Sequence, residues 1–296
     1  MNREITVRKS ILGAACAGLA LAGVAMAQSA TARESEDICA GLPKLEDQNA
    51  EFLDKIMLEP RQFTSLADLL KELPSEAMAR IAAAQKSALE RQARDWPNLC
   101  RYAAENAQVQ ASGIRPRTIF LGDSITENWK LGDPALFGAS VLDRGIGGQT
   151  TPQILLRFYP DVVALRPRVV HIMAGVNDIM GNTGATSDAT IVNNIRAMID
   201  IARANGIRVV LARITPAKSF VARPDFDMRP RIAAVNAQLA QLAKEKRVTI
   251  ADYATVLAND EGGLKGALGN DGLHPNRDGY AAMRPLAERA ITRAAK

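Results

Sequence analysis

Histidine is nearly missing from this 296-residue chain: only His171 and His274 occur. Aromatic residues make up 4% of it, and the 37 Lys and Arg are nearly matched by 32 Asp and Glu. Scattered basic residues with so few aromatics supply neither a phosphate-tracking stripe nor a stacking platform, so nucleic acid is excluded as a partner. Two distant histidines and three cysteines offer no clustered set for zinc, and the sequence calls for no metal or cofactor. No internal repeat or low-complexity linker is present.

The longest apolar run lies at the start. Arg3, Arg8 and Lys9 form a basic region ahead of an apolar stretch over residues 11–24, and Ala25-Met26-Ala27 has the small-x-small form of a cleavage site. Extended to Ala27 the run is about 17 residues, short of the roughly 20 a spanning helix needs. Residues 1–27 therefore read as a signal peptide cut before Gln28, implying a periplasmic or secreted protein with no stable membrane insertion after cleavage. Gly13-Ala14-Ala15-Cys16 lacks the bulky aliphatic residue usual before a lipidated cysteine, which disfavours a lipoprotein. Cleavage leaves Cys39 and Cys100, an even pair that in an oxidising compartment reads as a disulfide. Closing a loop of about 60 residues contributes on the order of 4 kcal/mol in the chain-entropy model.

From residue 117 onward short apolar runs alternate with helical periodicity. Strands are expected at 118–121, 140–142, 168–173, 208–214 and 248–251, with helices near 152–158, 188–204, 229–244 and 280–294. That alternation specifies an α/β fold, a parallel sheet covered on both faces. Residues 28–116 form a helical N-terminal extension, periodic over 75–93 and 102–110 and broken at Asp95-Trp96-Pro97. A brace against the sheet is its expected role.

Four segments carry chemistry. Gly122-Asp123-Ser124-Ile125 follows the first strand and puts a serine at the carboxyl edge of a parallel sheet, where such folds collect ligands. No G-x-S-x-G elbow surrounds it, which disfavours an ordinary α/β-hydrolase. Asp271-Gly272-Leu273-His274-Pro275 places a histidine on a turn-rich loop with a carboxylate three residues away, the better candidate for a general base. His171, inside an apolar strand, reads as a core residue. Gly145-Ile146-Gly147-Gly148-Gln149-Thr150 can aim backbone N–H groups at an anion; as a dinucleotide loop it fails, because Thr150 stands where the third glycine belongs. Asn177, in Gly175-Val176-Asn177-Asp178, suits either an oxyanion donor or a turn-former.

These four segments, in this order, resemble the motif blocks of the SGNH hydrolases, the GDSL-type esterases and lipases. The resemblance implies a three-layer α/β/α fold with a flavodoxin-like parallel sheet of about five strands over residues 117–296. It implies Ser124 as nucleophile, with Asp271 and His274 completing a triad. The backbone N–H groups of Ser124 and Gly148 and the side chain of Asn177 would form the oxyanion hole. Asp143 stands where many relatives carry asparagine. The wording of the glycine block and of Gly181-Asn182-Thr183-Gly184 is most similar to short-chain acyl esterases, including carbohydrate O-deacetylases. The expected function is thus an exported serine esterase acting on short-chain, acetyl foremost, esters of small molecules or carbohydrates. Lysophospholipase or thioesterase activity is the enzymatic alternative. A non-catalytic carbohydrate-binding protein on the same fold is the alternative of another class, and the complete set of site residues speaks against it. Oligomeric state is left open by the sequence.

Overall fold

A computed structural model describes residues 39–42, 58–61, 63, 65–71 and 75–296. The leader expected over residues 1–27, with Cys16, lies outside them. The chain divides into two compact units, Met1–Leu42 and Pro43–Lys296. In the first, the described residues 39–42 make a turn closed by Leu42 N–H on the Cys39 carbonyl at 3.4 Å. Cys39 and Cys100 are each disulfide-bonded.

In the second unit the described part of the extension holds α1 (Leu66–Lys71), α2 (Ser75–Arg94) and α3 (Ala103–Ser112). Then come β1 (Thr118–Gly122), α4 (Ser124–Gly132), β2 (Val141–Gly145), α5 (Thr151–Leu156), α6 (Phe158–Asp161) and β3 (Val169–Met173). After these follow α7 (Val176–Met180), α8 (Asp188–Ala204), β4 (Arg208–Ala212), α9 (Arg229–Lys246), β5 (Thr249–Ala251), α10 (Ala254–Leu257) and α11 (Arg277–Ala294). The five strands form one parallel sheet in the order β2-β1-β3-β4-β5, flanked by helices, which is the expected three-layer architecture.

Every residue of β1 and of β3 is buried, as strands covered on both faces must be. Ile119, Phe120 and Leu121 are wholly withdrawn from water, worth about 1.5–3 kcal/mol each in transfer free energy. The helix α8 buries Ile191, Ile195, Met198, Ile199 and Ala202, the stripe a 3.6-residue period lays on one face. Its first turn is capped by Ser187, whose hydroxyl accepts the Thr190 N–H at 3.1 Å.

Because the strand order reverses beside β1, the carboxyl ends of β1 and β3 flank a switch point, the place where open parallel sheets form a crevice. The extension differs from a simple brace. Its described residues reach the loops at that end: Tyr102 Oη donates to the Gly145 carbonyl, and the Trp96 and Pro97 carbonyls accept from Gln153 and Gln149, both at 2.9 Å.

Candidate active site

Ser124 opens α4 directly after β1. Asp123 caps the helix, its carboxylate accepting the Ile125 N–H at 3.0 Å, which fixes the turn that lifts Ser124 off the sheet. His274 and Asp271 come from the loop ahead of α11. Ser124 Oγ lies 2.9 Å from His274 Nε2, and Asp271 Oδ2 lies 2.7 Å from His274 Nδ1. The second oxygen of Asp271 accepts the backbone N–H groups of Leu273 and His274 at 2.9 and 2.8 Å, so the carboxylate is fully engaged. Gly272 makes this tight loop feasible. Its φ is +84°, and a Cβ there would stand 2.5 Å from the Ser219 carbonyl oxygen.

Burial, the largest influence on Asp271, pushes its carboxyl up, but the His274 charge and three hydrogen bonds outweigh it and leave the group below its ordinary value. For His274 burial pushes down, and the charge and hydrogen bond of Asp271, helped by Asp123, hold the imidazole above its ordinary value. With Nδ1–H directed to a carboxylate, Nε2 is left as the acceptor facing the hydroxyl, the tautomer a general base needs.

The glycine block and Asn177 close the other side. Asn177 Nδ2 donates to the Gln149 carbonyl at 3.0 Å, while its Oδ1 accepts from Asn182 Nδ2 at 2.9 Å. Asn182 also donates to the Gly148 carbonyl at 3.1 Å, so one side chain ties the two candidate donors together. Gly148 has φ of +75°, and neither its N–H nor that of Ser124 has a hydrogen-bond partner among the described residues. The neighbouring Gly147 N–H is held by Glu127 Oε2 at 2.7 Å, and a Cβ on Gly147 would stand 3.7 Å from Ser124 Cβ. The glycine loop therefore lies against the serine.

All five expected site residues converge at one end of the sheet; His171 does not join them. It is wholly buried, 2.7 Å from Tyr253 Oη and 4.7 Å ring to ring from Phe120, and burial lowers it to about 3.

Sequence reading missed the supports. Arg157, fully buried, donates to the Gly122 carbonyl at 2.8 Å, to the Arg144 carbonyl at 2.8 Å and to Gln149 Oε1 at 2.6 Å, with Asp161 at 2.9 Å balancing its charge. It thus joins the ends of β1 and β2 to the glycine loop. Asp178 accepts from both the N–H and the hydroxyl of Thr151, at 2.9 and 2.6 Å, docking the Asn177 turn onto α5. A buried arginine has no local sequence signal; the Asn177-Asp178 pairing could have been suspected from its place in the block. Burial raises two further carboxyls, Asp123 to about 7 and Asp143 to about 8. Asp143 accepts the Gly145 N–H at 2.6 Å, and its other oxygen is buried without a partner among the described residues.

Residues 120–282 match the model of the GDSL-like lipase/acylhydrolase family. A GDSL-like lipase from Bacteroides thetaiotaomicron is 35% identical, with a TM-score of 0.64, covering 68% of this chain and 100% of that one. A Bacteroides fragilis protein classed with the acylhydrolases is 38% identical at the same TM-score, covering 68% of this chain and 99% of that one. An acetyl xylan esterase shares the fold at 23% identity and a TM-score of 0.50, over 59% of this chain and 98% of that one. An uncharacterized lipoprotein of Bacillus subtilis is 34% identical over 79 residues, so that the match spans 26% of this chain and about a third, 32%, of that relative. Family match, solved relatives and fold agree: the chain belongs to the GDSL-like lipase/acylhydrolase family of SGNH hydrolases and is by class a carboxylic ester hydrolase.

Proposed function

We propose that this chain is an exported serine esterase that cleaves short-chain carboxylic esters, acetyl esters foremost, through Ser124, His274 and Asp271. The observation that carries the reading is the continuous contact chain from Ser124 Oγ to Nε2 at 2.9 Å and from Nδ1 to a buried carboxylate at 2.7 Å. In the first step Oγ bonds to the ester carbonyl carbon while its proton moves to Nε2. The oxygen that gains charge is received by the N–H groups of Ser124 and Gly148 and the amide of Asn177. Collapse breaks the bond to the alcohol oxygen, which takes the proton from Nε2, and leaves an acyl group on Ser124. Water then bonds to the acyl carbon while giving a proton to Nε2, and collapse breaks the bond to Oγ, which takes that proton back as the acid leaves.

For the substrate, the named activity of the acetyl xylan esterase relative makes acetylated sugars the first compounds to try. No described helix is long and apolar enough to cross a membrane. On p-nitrophenyl esters of rising chain length, turnover is expected to be highest for acetyl and to fall beyond about four carbons, with acetylated sugars also deacetylated; one methylene is worth 10- to 200-fold at most in such pockets. A serine-reactive phosphonate should label Ser124. Preference for long acyl chains would favour the lysophospholipase reading, and binding of sugars without turnover the non-catalytic one.

The same proposal has the exported form begin at Gln28 and join Cys39 to Cys100. Intact mass of protein from an oxidising compartment should then be two hydrogens below the reduced mass, with one joined peptide pair in a non-reducing map and a lower melting temperature on reduction. Two free thiols would refute the bridge.

A further inference from the structure

The loop bearing Asp271 and His274 is staked by asparagine at both ends. Asn276, wholly buried, caps α11 by accepting the Gly279 N–H at 3.0 Å and donates to the Ala267 carbonyl at 3.1 Å. Asn270, 2% exposed, is the residue before Asp271, and its partners come from the far end of the sequence. Its Nδ2 donates to the Glu59 carbonyl at 2.6 Å, its Oδ1 accepts the Arg61 N–H at 3.2 Å, and its own carbonyl accepts the Phe63 N–H at 2.9 Å. Asn276 Nδ2 meets the same Oδ1 at 3.2 Å, so the two stakes are joined. Leu58, wholly buried in the core, anchors the stretch just ahead of these contacts. Three polar contacts to alternate residues more than 200 positions away, two through the side chain and one through the main-chain carbonyl, are the pattern of a strand-like pairing made through one residue.

We propose that Glu59, Arg61 and Phe63 act as a strap that positions the Asp271 and His274 loop through Asn270, which makes Asn270 a positioning residue for ester hydrolysis. The inference rests on the triad reading above. A buried amide that loses its partners leaves donors and acceptors unsatisfied, and the loop relaxes to repair them. A displacement of about 1 Å in a base costs on the order of a hundredfold in rate while leaving substrate binding largely intact.

The test is a double-mutant cycle in the full chain, with Asn270→Ala and Arg61→Pro made singly and together. Arg61→Pro deletes the strap's N–H from the other side and stays outside the loop. Each single variant should lower kcat tenfold or more, roughly, with KM changed by less than about threefold. The acidic limb of kcat/KM should move to lower pH, since Asp271 and Asp123 are the charged groups that hold His274 up. The double variant should be no worse than the poorer single, because the N–H that Arg61→Pro deletes donates to the same amide that Asn270→Ala removes. Melting temperature and circular dichroism show that each variant is folded. Folded variants with unchanged kcat and an unmoved limb would overturn the strap, and multiplied losses in the double variant would overturn its action through Asn270. Wild-type turnover in Ser124→Ala would instead overturn the triad reading beneath it.

Discussion

Ser124→Ala lowers ester turnover by about a thousandfold or more while the protein stays folded. The substitution removes one oxygen, the atom 2.9 Å from His274 Nε2, which has no other hydrogen bond among the described residues. The helix start depends on Asp123 and not on Ser124, so the melting temperature should change by a few degrees at most. What remains in the variant is a base with nothing to activate but water, together with the oxyanion donors, and such remnants keep about 10³–10⁴ over the uncatalysed reaction in serine hydrolases. The loss should appear in kcat measured with p-nitrophenyl acetate. Near-normal turnover in a folded Ser124→Ala protein would sink the nucleophile assignment.

The two histidines separate in a second comparison. His274→Ala should abolish turnover near neutral pH, by roughly a thousandfold or more, because the proton of Ser124 then has no acceptor. His171→Phe should leave kcat within a few-fold and cost about 1–3 kcal/mol of stability, because the Tyr253 hydroxyl loses its buried partner. The pH profile follows from the direction of the His274 shift. The base works neutral, and with its pKa raised by Asp271 against the downward push of burial, kcat/KM should climb with pH through a limb above the ordinary histidine value of about 6.5. Activity is thus lost as pH falls. Asp271→Asn should move the limb to lower pH and cut kcat severely. His171, lowered to about 3, is neutral throughout this range and cannot produce the limb. Equal loss of kcat in folded His274→Ala and His171→Phe would overturn the assignment.

Much of this was readable from local signals. The bounds of α8 coincide with its expected span, because Ser187 and Gly206 punctuate an uninterrupted helical period. The sheet's five strands fall where apolar runs stood, with one informative miss: β2 runs Val141–Gly145, three residues beyond its expected end. Asp143 and Arg144 look like a turn in sequence, yet both are buried. Arg144 donates to the Asp143 carbonyl at 2.6 Å, and the extension adds Asn106 at 2.9 Å, Glu105 at 3.3 Å and the face of Tyr102 at 4.6 Å. Likewise α4 is not among the expected helices, although Asp123 is a good cap and Ile125 and Trp129 share a face; its first residues belong to the Gly122-Asp123-Ser124-Ile125 motif. The five candidate site residues stand out because each sits in a block that resembles a family motif. Arg157, Asn270 and the strap do not, since their partners lie far off in sequence and a lone arginine or asparagine carries no period.

The long separations in the site set an order of events. Ser124 and His274 are 150 residues apart, and Asn270 meets Glu59 across 211. Contacts of such span form late, after nearer ones have shortened the loops between them. The β1, β2 and β3 portion, with its serine and glycine loop, can assemble from chain already synthesised, whereas His274 arrives only after the last strand, with the loop beyond it. With the proposed triad, activity is therefore the final property the chain acquires, and any fragment ending before residue 274 carries the proposed nucleophile without its base.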